Sequence, residues 1–366
     1  MWVGAIRMPA GSKRTRALIT GASGQDGAYL AELLLAKGYA VHAFVRRTSA
    51  GPAEHLLRHL DGPPGHEERF VLHHGDMTDS ASLMRVLAAA RPVEVYNLAA
   101  QSHVGVSFDA PEATADTDAL GVVRLLEAVR ALGLGEGCSI YQASTSELFG
   151  ASPPPQDETT PFRPCSPYAA AKVCAYWMSV TYREAHGLHV SNGIAFNHES
   201  PLRGDSFVTR KVTRAAARIA AGSLEVLRLG NLDAARDWAH ARDVVEGMWR
   251  MLQQPAPSDY VLATGEAHSV RSFVDRAFDA AGLSLHWEGG GADEVGVEPR
   301  SGRVLVGVDP ALFRPRETNA MRGDAGKARR ELGWTPRTGL DGLVADMVRA
   351  DLAAVRAAPA RGAVPA

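Results

Sequence analysis

The stretch ALITGASGQDG, residues 17–27, joins a short apolar run to a turn with three evenly spaced glycines. The glycines follow a G-x-x-G-x-x-G spacing, and the residues from Asp26 to Lys37 continue with leucines on one side of a predicted helix. Glycine suits such a turn because the backbone must bend sharply and approach a bound phosphate closely. The stretch therefore predicts a strand, a phosphate-binding turn and a helix whose N-terminus faces the phosphates. A plain sharp turn is the alternative interpretation of the glycines taken alone.

The same alternation of short apolar runs and helical patterns continues as far as residue 196. The predicted strands are Ala17–Thr20, Val41–Val45, Phe70–Leu72, Val93–Leu98, Ser139–Ala143 and Val190–Ala195. The predicted helices between them are Asp26–Lys37, Ser80–Ala90, Asp116–Ala131 and Pro167–His186. Such alternation predicts parallel strands joined by crossover helices, and thus an α/β fold with a doubly wound parallel sheet of the Rossmann type.

The pattern after residue 196 predicts a smaller, mixed α/β C-terminal lobe that binds the substrate. Helical patterns lie there among short strands and glycine-rich loops, at Thr209–Ala221, Ala241–Gln253, Val270–Ala281 and Leu340–Leu352. We expect a flexible leader at residues 1–16, a nucleotide-binding domain at 17–196, the lobe at 197–352 and a disordered tail at 353–366. We also expect some segments of the lobe, such as Val261–Ala263, to return to the first sheet.

The composition of the chain excludes several classes of protein. Its 366 residues carry 39 Lys and Arg against 41 Asp and Glu, a formal net charge of −2, and so lack the excess of cations with which proteins bind nucleic-acid backbones. No apolar run approaches the roughly 20 residues needed to cross a bilayer, and the first sixteen residues lack the apolar core of a signal peptide. The 3 cysteines favour a reducing compartment. We therefore expect a cytoplasmic protein that binds neither nucleic acid nor membrane.

The end of the second predicted strand bears on the choice of dinucleotide. Arg46, Arg47, Thr48 and Ser49 follow the strand there, with no carboxylate among them. An NAD site usually has an acidic residue at this place, which binds the ribose 2′-hydroxyl, whereas guanidinium and hydroxyl groups suit a 2′-phosphate. The segment therefore predicts NADP as the cofactor, with a solvated basic loop as the alternative.

Small and polar residues follow the third and fourth predicted strands, at the edge where sheets of this type bind ligands. Asp76 is placed to accept a hydrogen bond from an adenine amino group, and the small residues after the fourth strand let a nicotinamide ribose lie close. Together with the glycine turn, these positions give the following predicted cofactor contacts: Gly21, Ala22, Ser23, Gly24, Gln25, Asp26, Gly27, Asp76, Met77, Leu98, Ala99, Ala100, Gln101 and Ser102.

Tyr168 and Lys172 form the pattern Y-x-x-x-K at the start of a predicted helix, which places both side chains on one face. We expect the Lys172 ammonium to lower the pKa of the Tyr168 phenol and to bind the nicotinamide ribose, which makes the phenol a base near neutral pH. Thr145 lies at the end of the strand before this helix, and Glu147 is a nearby carboxylate that a plain alcohol oxidation does not require. The alternatives are that Tyr168 and Lys172 are an ordinary exposed pair on a helix and that Glu147 is a surface carboxylate.

Several segments together resemble the GDP-mannose 4,6-dehydratase family, which belongs to the extended short-chain dehydrogenases/reductases. The most specific are YQASTSELF (141–149), FNHESPLRG (196–204) and LGNLDAARDWAHA (229–241). The others include the glycine turn, residues 45–49, SPYAAAK (166–172) and FVTRK (207–211). Departures from the residues usual in the family occur at Ala113, Cys165, Leu202, Ala239 and Asn319-Ala320-Met321, and none removes a chemical group named above.

This resemblance also implies roles for individual residues. Thr145 would polarise the hexose 4-hydroxyl, Tyr168 would be the base at O4, and Glu147 would act at C5 and C6. The residues implied to contact NADP are Lys172, His198 and Arg203, and those implied to bind the GDP-sugar are Ser102, Asn197, Lys211 and Arg236. No metal is implied, because His198-Glu199 has no third ligand at a suitable spacing.

The function so implied is dehydration of GDP-mannose to GDP-4-dehydro-6-deoxy-mannose. It comprises oxidation at C4, loss of water across C5 and C6, and return of the hydride to C6, with NADP regenerated in each turnover. The alternatives are a dehydratase of another nucleotide sugar, such as a GDP-heptose, a nucleotide-sugar epimerase and, more remotely, a non-catalytic NADP-binding sensor. We also expect a homodimer or homotetramer, with the apolar faces of Asp116–Ala131 and Pro167–His186 at the interface.

Overall fold

The larger part of the chain forms a seven-stranded parallel sheet. The computed structural model describes residues 15–47, 56, 69–313 and 320–357. The strands of this sheet are β1 (Arg16–Thr20), β2 (Ala40–Val45), β3 (Phe70–His74), β4 (Glu94–Asn97), β5 (Ser139–Thr145), β6 (His189–Ala195) and β11 (Tyr260–Leu262). They lie in the order β11-β6-β5-β4-β1-β2-β3, which confirms the predicted doubly wound sheet.

A chain of side-chain hydrogen bonds ties together the carboxyl ends of β1, β4 and β5. The Thr20 hydroxyl donates to Asn97 Oδ1 (2.6 Å), the Asn97 amide donates to Gln142 Oε1 (2.7 Å), and Gln142 Nε2 donates to the Ala143 carbonyl (2.9 Å). The strand order reverses between β1 and β4, and ligands of such sheets bind in the crevice at that point. These bonds therefore fix the floor of a ligand-binding crevice.

Helices cover both faces of the sheet, as crossover connections require. The described helices of both lobes, in chain order, are α1 (Gln25–Ala36), α2 (Ser80–Ala90), α3 (Val104–Asp109), α4 (Pro111–Ala115), α5 (Gly121–Ala131), α6 (Pro167–His186), α7 (Val208–Ala220), α8 (Ala241–Leu252), α9 (Val270–Ala280), α10 (Gly326–Leu332) and α11 (Leu340–Ala357). α1 packs against α8, while α5 packs against both α2 and α6. The buried apolar side chains of α1 and α8 belong to one core cluster and those of α2 and α5 to another, while α6 contributes to both.

The second lobe has a small sheet and a core of its own. Its strands are β8 (Leu227–Leu229), β13 (His286–Glu288), β14 (Val295–Val297) and β15 (Val304–Val308), in the order β13-β14-β15-β8. Only the β15–β8 pair of this sheet is parallel. Helices α7, α9 and α11 pack against one another, and Trp238 and Phe273 are buried among their apolar side chains. The lobe is therefore mixed α/β, as the sequence predicted.

The chain after residue 196 also contributes to the first domain. β11 pairs with β6 at the edge of the large sheet, where the sequence predicted a returning strand at Val261–Ala263. α8 packs on α1, and α10 packs on β11 and α8. Two short ladders, β7 (Asn197–Glu199) with β10 (Trp238–His240) and β9 (Ala235–Arg236) with β12 (His268–Ser269), lie along this crossing.

Three of the predicted boundaries are wrong. Arg16 is the first residue of β1 and does not belong to a leader, because it pairs with Ala40. α11 continues to Ala357, since the alanine-rich run after Leu352 favours helix, so residues 353–357 are not a disordered tail. The predicted helix Asp116–Ala131 begins with a π-helical turn (Asp116–Leu120) before α5, and the short helices α3 and α4 precede it. Residues 1–14 and 358–366 lie outside the described residues.

The described residues also bear on membrane association. Among them, no helix combines the length and the apolar character needed to span a bilayer.

Candidate active site

A cavity of about 940 Å³ opens at the carboxyl edge of the sheet, between the two lobes. Its walls include the ends of β1, β4, β5 and β6, and the opposite wall comes from the β7–α7 segment and from β8 to β9. This is the crevice expected at the reversal of strand order. Its volume lies at the upper end of the range usual for small-molecule and cofactor sites, about 300–1,000 Å³.

The glycine turn at residues 21–24 forms one end of the cavity. Gly21 has φ +65°, and a Cβ there would lie 2.8 Å from the backbone of Ala99, so only glycine fits without displacement. A Cβ at Gly27 would lie 2.5 Å from Ala22 Cα, which shows how closely α1 approaches the turn. The N-cap residue Gly24 provides no side-chain cap to the first turn of α1. This geometry fits a pyrophosphate bound by backbone N–H groups.

His198 and Asp26 form a half-buried ion pair between the glycine turn and the second lobe. His198 Nε2 lies 2.7 Å from Asp26 Oδ2, and His198 Nδ1 lies 2.7 Å from the Phe196 carbonyl oxygen. Because both ring nitrogens face acceptors, both must carry protons. Gln25 Nε2 also donates to Asp26 Oδ1 and to the His198 carbonyl. The imidazolium therefore joins the start of α1 to β7.

The pKa shifts of this pair agree with its geometry. Burial alone lowers the pKa of His198, but the Asp26 carboxylate and its hydrogen bond outweigh burial and raise that pKa above its ordinary value. Burial alone raises the pKa of Asp26. The charge of His198 and the hydrogen bonds from His198 and Gln25 lower this pKa by more, so it lies below its ordinary value. Each group thus stabilises the charged form of the other.

Tyr168 and Lys172 lie at the start of α6, on the helix face that lines the cavity. The helix begins there because Ser166 caps it, with its Oγ accepting the Ala169 N–H at 3.1 Å, and because Pro167 occupies the first turn. Tyr168 is 7% exposed and Lys172 is 3% exposed. Lys172 Nζ donates to the Ala143 carbonyl at 3.1 Å. The alternative of an exposed helix pair is therefore excluded.

Thr145 and Glu147 face the same part of the cavity from the end of β5. Thr145 Oγ1 accepts the Glu147 N–H at 3.2 Å and caps the short turn Ser146–Leu148. Its side chain also hydrogen-bonds Tyr168, and the charge of Glu147 acts on the same phenol. Glu147 is 9% exposed, which excludes a surface role. The chain thus places a hydroxyl, a phenol and a carboxylate at one buried point.

The prediction that Lys172 lowers the pKa of Tyr168 is wrong for this structure. Burial raises the pKa of Tyr168, the charges of Asp118 and Glu147 add to the rise, and the Thr145 hydrogen bond and Arg203 only partly oppose it. The ammonium of Lys172 lies 5.9 Å from the centre of the Tyr168 ring and donates to a backbone carbonyl instead. Without a ligand, Tyr168 is therefore a neutral phenol at neutral pH.

The comparisons with known proteins agree with this geometry. The family model described as GDP-mannose 4,6 dehydratase matches residues 18–347. The chain belongs to the GDP-mannose 4,6-dehydratase family. A relative from Sinorhizobium fredii, named GDP-mannose 4,6-dehydratase, is 57% identical over 347 residues, covering 94% of this chain and 98% of its own length. The human GDP-mannose 4,6 dehydratase is 52% identical over 354 residues, covering 95% of this chain and 94% of its own.

Solved structures show the same fold with more distant sequences. The UDP-glucose 4-epimerase of Thermus thermophilus, solved with NAD, has a TM-score of 0.75 at 26% identity and covers 92% of this chain and 99% of its own. The dTDP-glucose 4,6-dehydratase of Bacillus anthracis, also solved with NAD, has a TM-score of 0.74 at 19% identity and covers 92% and 96%. Membership in the GDP-mannose 4,6-dehydratase family makes the chain an enzyme of the dehydratase class.

Most of the residues predicted from the sequence and the family resemblance line the cavity. They are Gly21, Ser23, Gly24, Gln25, Asp26, Gly27, Arg46, Asp76, Met77, Leu98, Ala99, Ala100, Gln101, Ser102, Thr145, Glu147, Tyr168, Lys172, Asn197, His198, Arg203, Lys211 and Arg236. Ala22 is not among them, because it lies fully buried under the turn against Gly27, and Arg47 is exposed outside the cavity. Thr48 and Ser49 lie outside the described residues.

Sequence analysis missed a stack of side chains at the cavity wall. The Arg203 guanidinium lies 3.6 Å from the centre of the Phe207 ring, and the His103 ring centre lies 5.5 Å from that of Phe207. Phe207 belongs to the family motif FVTRK, so the motif could have identified it. His103 caps α3, a helix that the hydrophobic pattern did not predict. This stack joins the loop after β4 to the second lobe.

The described residues contain no cluster of three or more His, Cys, Asp or Glu side chains arranged to hold a metal ion.

Proposed function

We propose that this chain catalyses the dehydration of GDP-mannose to GDP-4-dehydro-6-deoxy-mannose, with a bound NADP that is regenerated in each turnover. The observation that carries the proposal is the buried carboxylate of Glu147 beside Tyr168 and Thr145. Alcohol oxidation alone needs a base and a hydroxyl, whereas loss of water also needs a group that moves a proton at the neighbouring carbon. Family membership supports the same activity.

The residues of the glycine turn would hold the cofactor pyrophosphate, and Arg46 would bind its 2′-phosphate. Arg46 lines the cavity at the end of β2, where an NAD site usually carries a carboxylate. Solved neighbours are named with NAD or with NADPH, which supports a nicotinamide cofactor of either kind. When bound, the cofactor would supply the hydride acceptor for oxidation at C4 and the hydride donor for reduction at C6.

The proton steps belong to the side chains of this chain. Tyr168 takes the proton of the hexose 4-hydroxyl, and the Thr145 hydroxyl orients that oxygen. The new C4 ketone acidifies the C5–H bond, so Glu147 removes the C5 proton and supplies a proton to the C6 hydroxyl, which leaves as water. The proton that Tyr168 took from the 4-hydroxyl then passes to C5 as the hydride reaches C6, which restores Tyr168 for the next turnover. With the cofactor bound, the positive charges of Lys172 and of the oxidised nicotinamide would together favour the ionised form of the phenol.

Cations at the far side of the cavity suit a nucleotide diphosphate. Lys211 and Arg236 line the cavity there together with Asn197, and Arg236 is buried. Ammonium and guanidinium groups form charge-assisted hydrogen bonds with phosphate oxygens. We assign these three residues, with Ser102 at the mouth, to the GDP-sugar.

The direct test is turnover with trace NADP. GDP-mannose in large excess over NADP should be converted completely, to a product lighter than the substrate by one water. A requirement for stoichiometric NADP would reject the cycle. A product of unchanged mass would indicate an epimerase, and conversion of a GDP-heptose but not of GDP-mannose would indicate a different sugar.

Glu147→Gln separates the oxidation from the water loss. We expect this variant to oxidise C4 and to dehydrate about 10²–10⁴-fold more slowly, because the amide cannot accept the C5 proton. Glu136→Gln, which changes an exposed carboxylate, is the matched control and should behave as wild type. Full dehydration by Glu147→Gln would remove Glu147 from its role.

The oligomeric state is a further part of the proposal. Leu126 and Val180, which the sequence placed at a helical interface, are buried within the protomer. Leu120 and Trp177 are 52% and 55% exposed on the neighbouring π-helical turn and α6. We expect a second copy to cover them in a homodimer or homotetramer, which light scattering would measure. A monomer at micromolar concentration would contradict this.

The proposed compartment is the cytoplasm. Cys138, Cys165 and Cys174 are free thiols in the structure, which is the state that a reducing compartment maintains.

A further inference from the structure

Asp118 is a buried carboxylate that the proposed proton steps do not use. It lies in the π-helical turn Asp116–Leu120, between α4 and α5. Such π turns are rare and are frequently found at functional sites. Asp118 is 0% exposed, although its helix covers the surface of the domain.

Only one oxygen of the Asp118 side chain has a hydrogen-bond partner. Oδ1 accepts the Gln101 N–H at 2.7 Å, in the loop that lines the cavity after β4. Oδ2 is buried without any partner among the described residues. A buried carboxylate that lacks hydrogen bonds is costly unless a cation lies close by. A positive charge near Oδ2 would therefore offset this cost.

That charge is Lys172, on the adjacent helix α6. Burial raises the pKa of Asp118 to about 6, and the attraction of Lys172 opposes the rise. Burial lowers the pKa of Lys172, and Asp118 is the group that opposes this fall. The π-helical turn packs against α6, so the two charges face each other across the contact between these elements.

The other ionisable groups around this pair do not replace Asp118. Tyr168 on α6 and Glu147 after β5 face the same cavity, and Arg203 approaches the phenol from the second lobe. Arg203 pairs with the buried carboxylate of Glu199. On the π-helical turn itself, Asp116 pairs with Arg124 at 2.6 Å.

We propose that Asp118 is a positioning residue, whose buried carboxylate keeps the Lys172 ammonium charged and holds it in its place 5.9 Å from the centre of the Tyr168 ring. The inference rests on the proposed function, since it explains how the base of that reaction is maintained. Its physical basis is that a lysine as deeply buried as Lys172 tends to lose its proton unless a negative charge is held near it. The carboxylate acts through Lys172 and does not contact the substrate.

Asp118→Asn tests this with a pH profile. The asparagine oxygen can still accept the Gln101 N–H, so the change removes the charge and little else. Removal of a negative charge lowers the pKa of both Lys172 and Tyr168, so both limbs of kcat against pH should move to lower pH, by about one unit. A structural defect would lower the rate but leave the limbs in place.

Asp116→Asn is the matched control, because it removes a carboxylate from the same turn where that group faces Arg124. Its limbs should coincide with those of wild type. Unchanged limbs in Asp118→Asn, with wild type converting GDP-mannose, would overturn the role of Asp118 alone. Failure of wild type to convert GDP-mannose would instead reject the proposed function.

A second measurement needs no turnover. Phenolate absorbance of the NADP-bound protein, minus that of Tyr168→Phe, reports the titration of Tyr168. We expect this titration at lower pH in Asp118→Asn than in wild type, and an identical titration would overturn the inference. If Asp118→Asn does not fold, Asp118→Ser, which is smaller and uncharged, serves for the same comparison.

Discussion

Replacement of His198 by glutamine tests the ion pair that joins the glycine turn to the second lobe. Removing one partner of a buried ion pair costs about 3–5 kcal/mol, since the other charge is left without compensation. For His198→Gln we expect the lower end, about 3 kcal/mol, because the Asp26 side chain is 23% exposed and keeps its hydrogen bond from Gln25.

The cost should depend on pH in a defined direction. Folding raises the pKa of His198, so its contribution is complete below the unfolded value of 6.5 and is lost as the pH rises through the folded value. Folding lowers the pKa of Asp26, so its contribution is complete above 3.8 and is lost as the pH falls through the folded value. The pair therefore stabilises the fold most between these two ordinary values.

Urea unfolding at about pH 5.5 and about pH 9 measures both effects. We expect His198→Gln to lose about 3 kcal/mol of unfolding free energy at the lower pH and clearly less at the higher pH. His186→Gln, at an exposed histidine on α6, is the control and should change little. A loss below about 1 kcal/mol at the lower pH, or an equal loss at both, would refute an imidazolium at His198.

Three further substitutions, one of them with a matched control, probe the cofactor and the base. Gly21→Ala should abolish NADP binding, because its Cβ would lie 2.8 Å from the Ala99 backbone. The control is Gly38→Ala, at a glycine with φ +89° and open space around it. This control should lose only about 1–2 kcal/mol of stability. Equal effects of these two variants in calorimetric titration and thermal unfolding would contradict the close approach. Tyr168→Phe should keep NADP affinity and lose about 10²–10⁴-fold in kcat, and a smaller loss would exclude the phenol as the base. Arg46→Asp should shift binding preference from NADP towards NAD, measured as the ratio of the two Kd values, and an unchanged ratio would place the 2′-phosphate elsewhere.

Much of the fold was predictable because its signals are local. Each strand of the first domain is a short apolar run, and each crossover helix has an apolar face, so alternation alone indicated the parallel sheet. The position of β11 at the sheet edge was harder to predict from the sequence, because it depends on pairing with β6 across more than sixty residues of chain. The π-helical turn Asp116–Leu120 was not predicted, because its residues continue the helical pattern of α5 in the sequence.

The site was predictable where chemistry is confined to a short motif. The glycine turn and the Tyr168–Lys172 spacing each lie within one turn or one helix, and both line the cavity. The pKa of Tyr168 was not predictable, because it depends on burial and on Asp118, which lies fifty residues earlier in the chain. The His198–Asp26 pair likewise joins two residues that lie 172 positions apart in the chain.

Transfer of a label within the sugar tests most directly whether Glu147 and Tyr168 convert an oxidation into a loss of oxygen. GDP-mannose that carries deuterium at C4 is incubated with the enzyme and trace NADP, and the product is analysed by mass spectrometry and NMR. The proposed cycle predicts one deuterium at C6 of a dehydrated product in each turnover. Deuterium that remains at C4, or a product that retains its C6 oxygen, would contradict it.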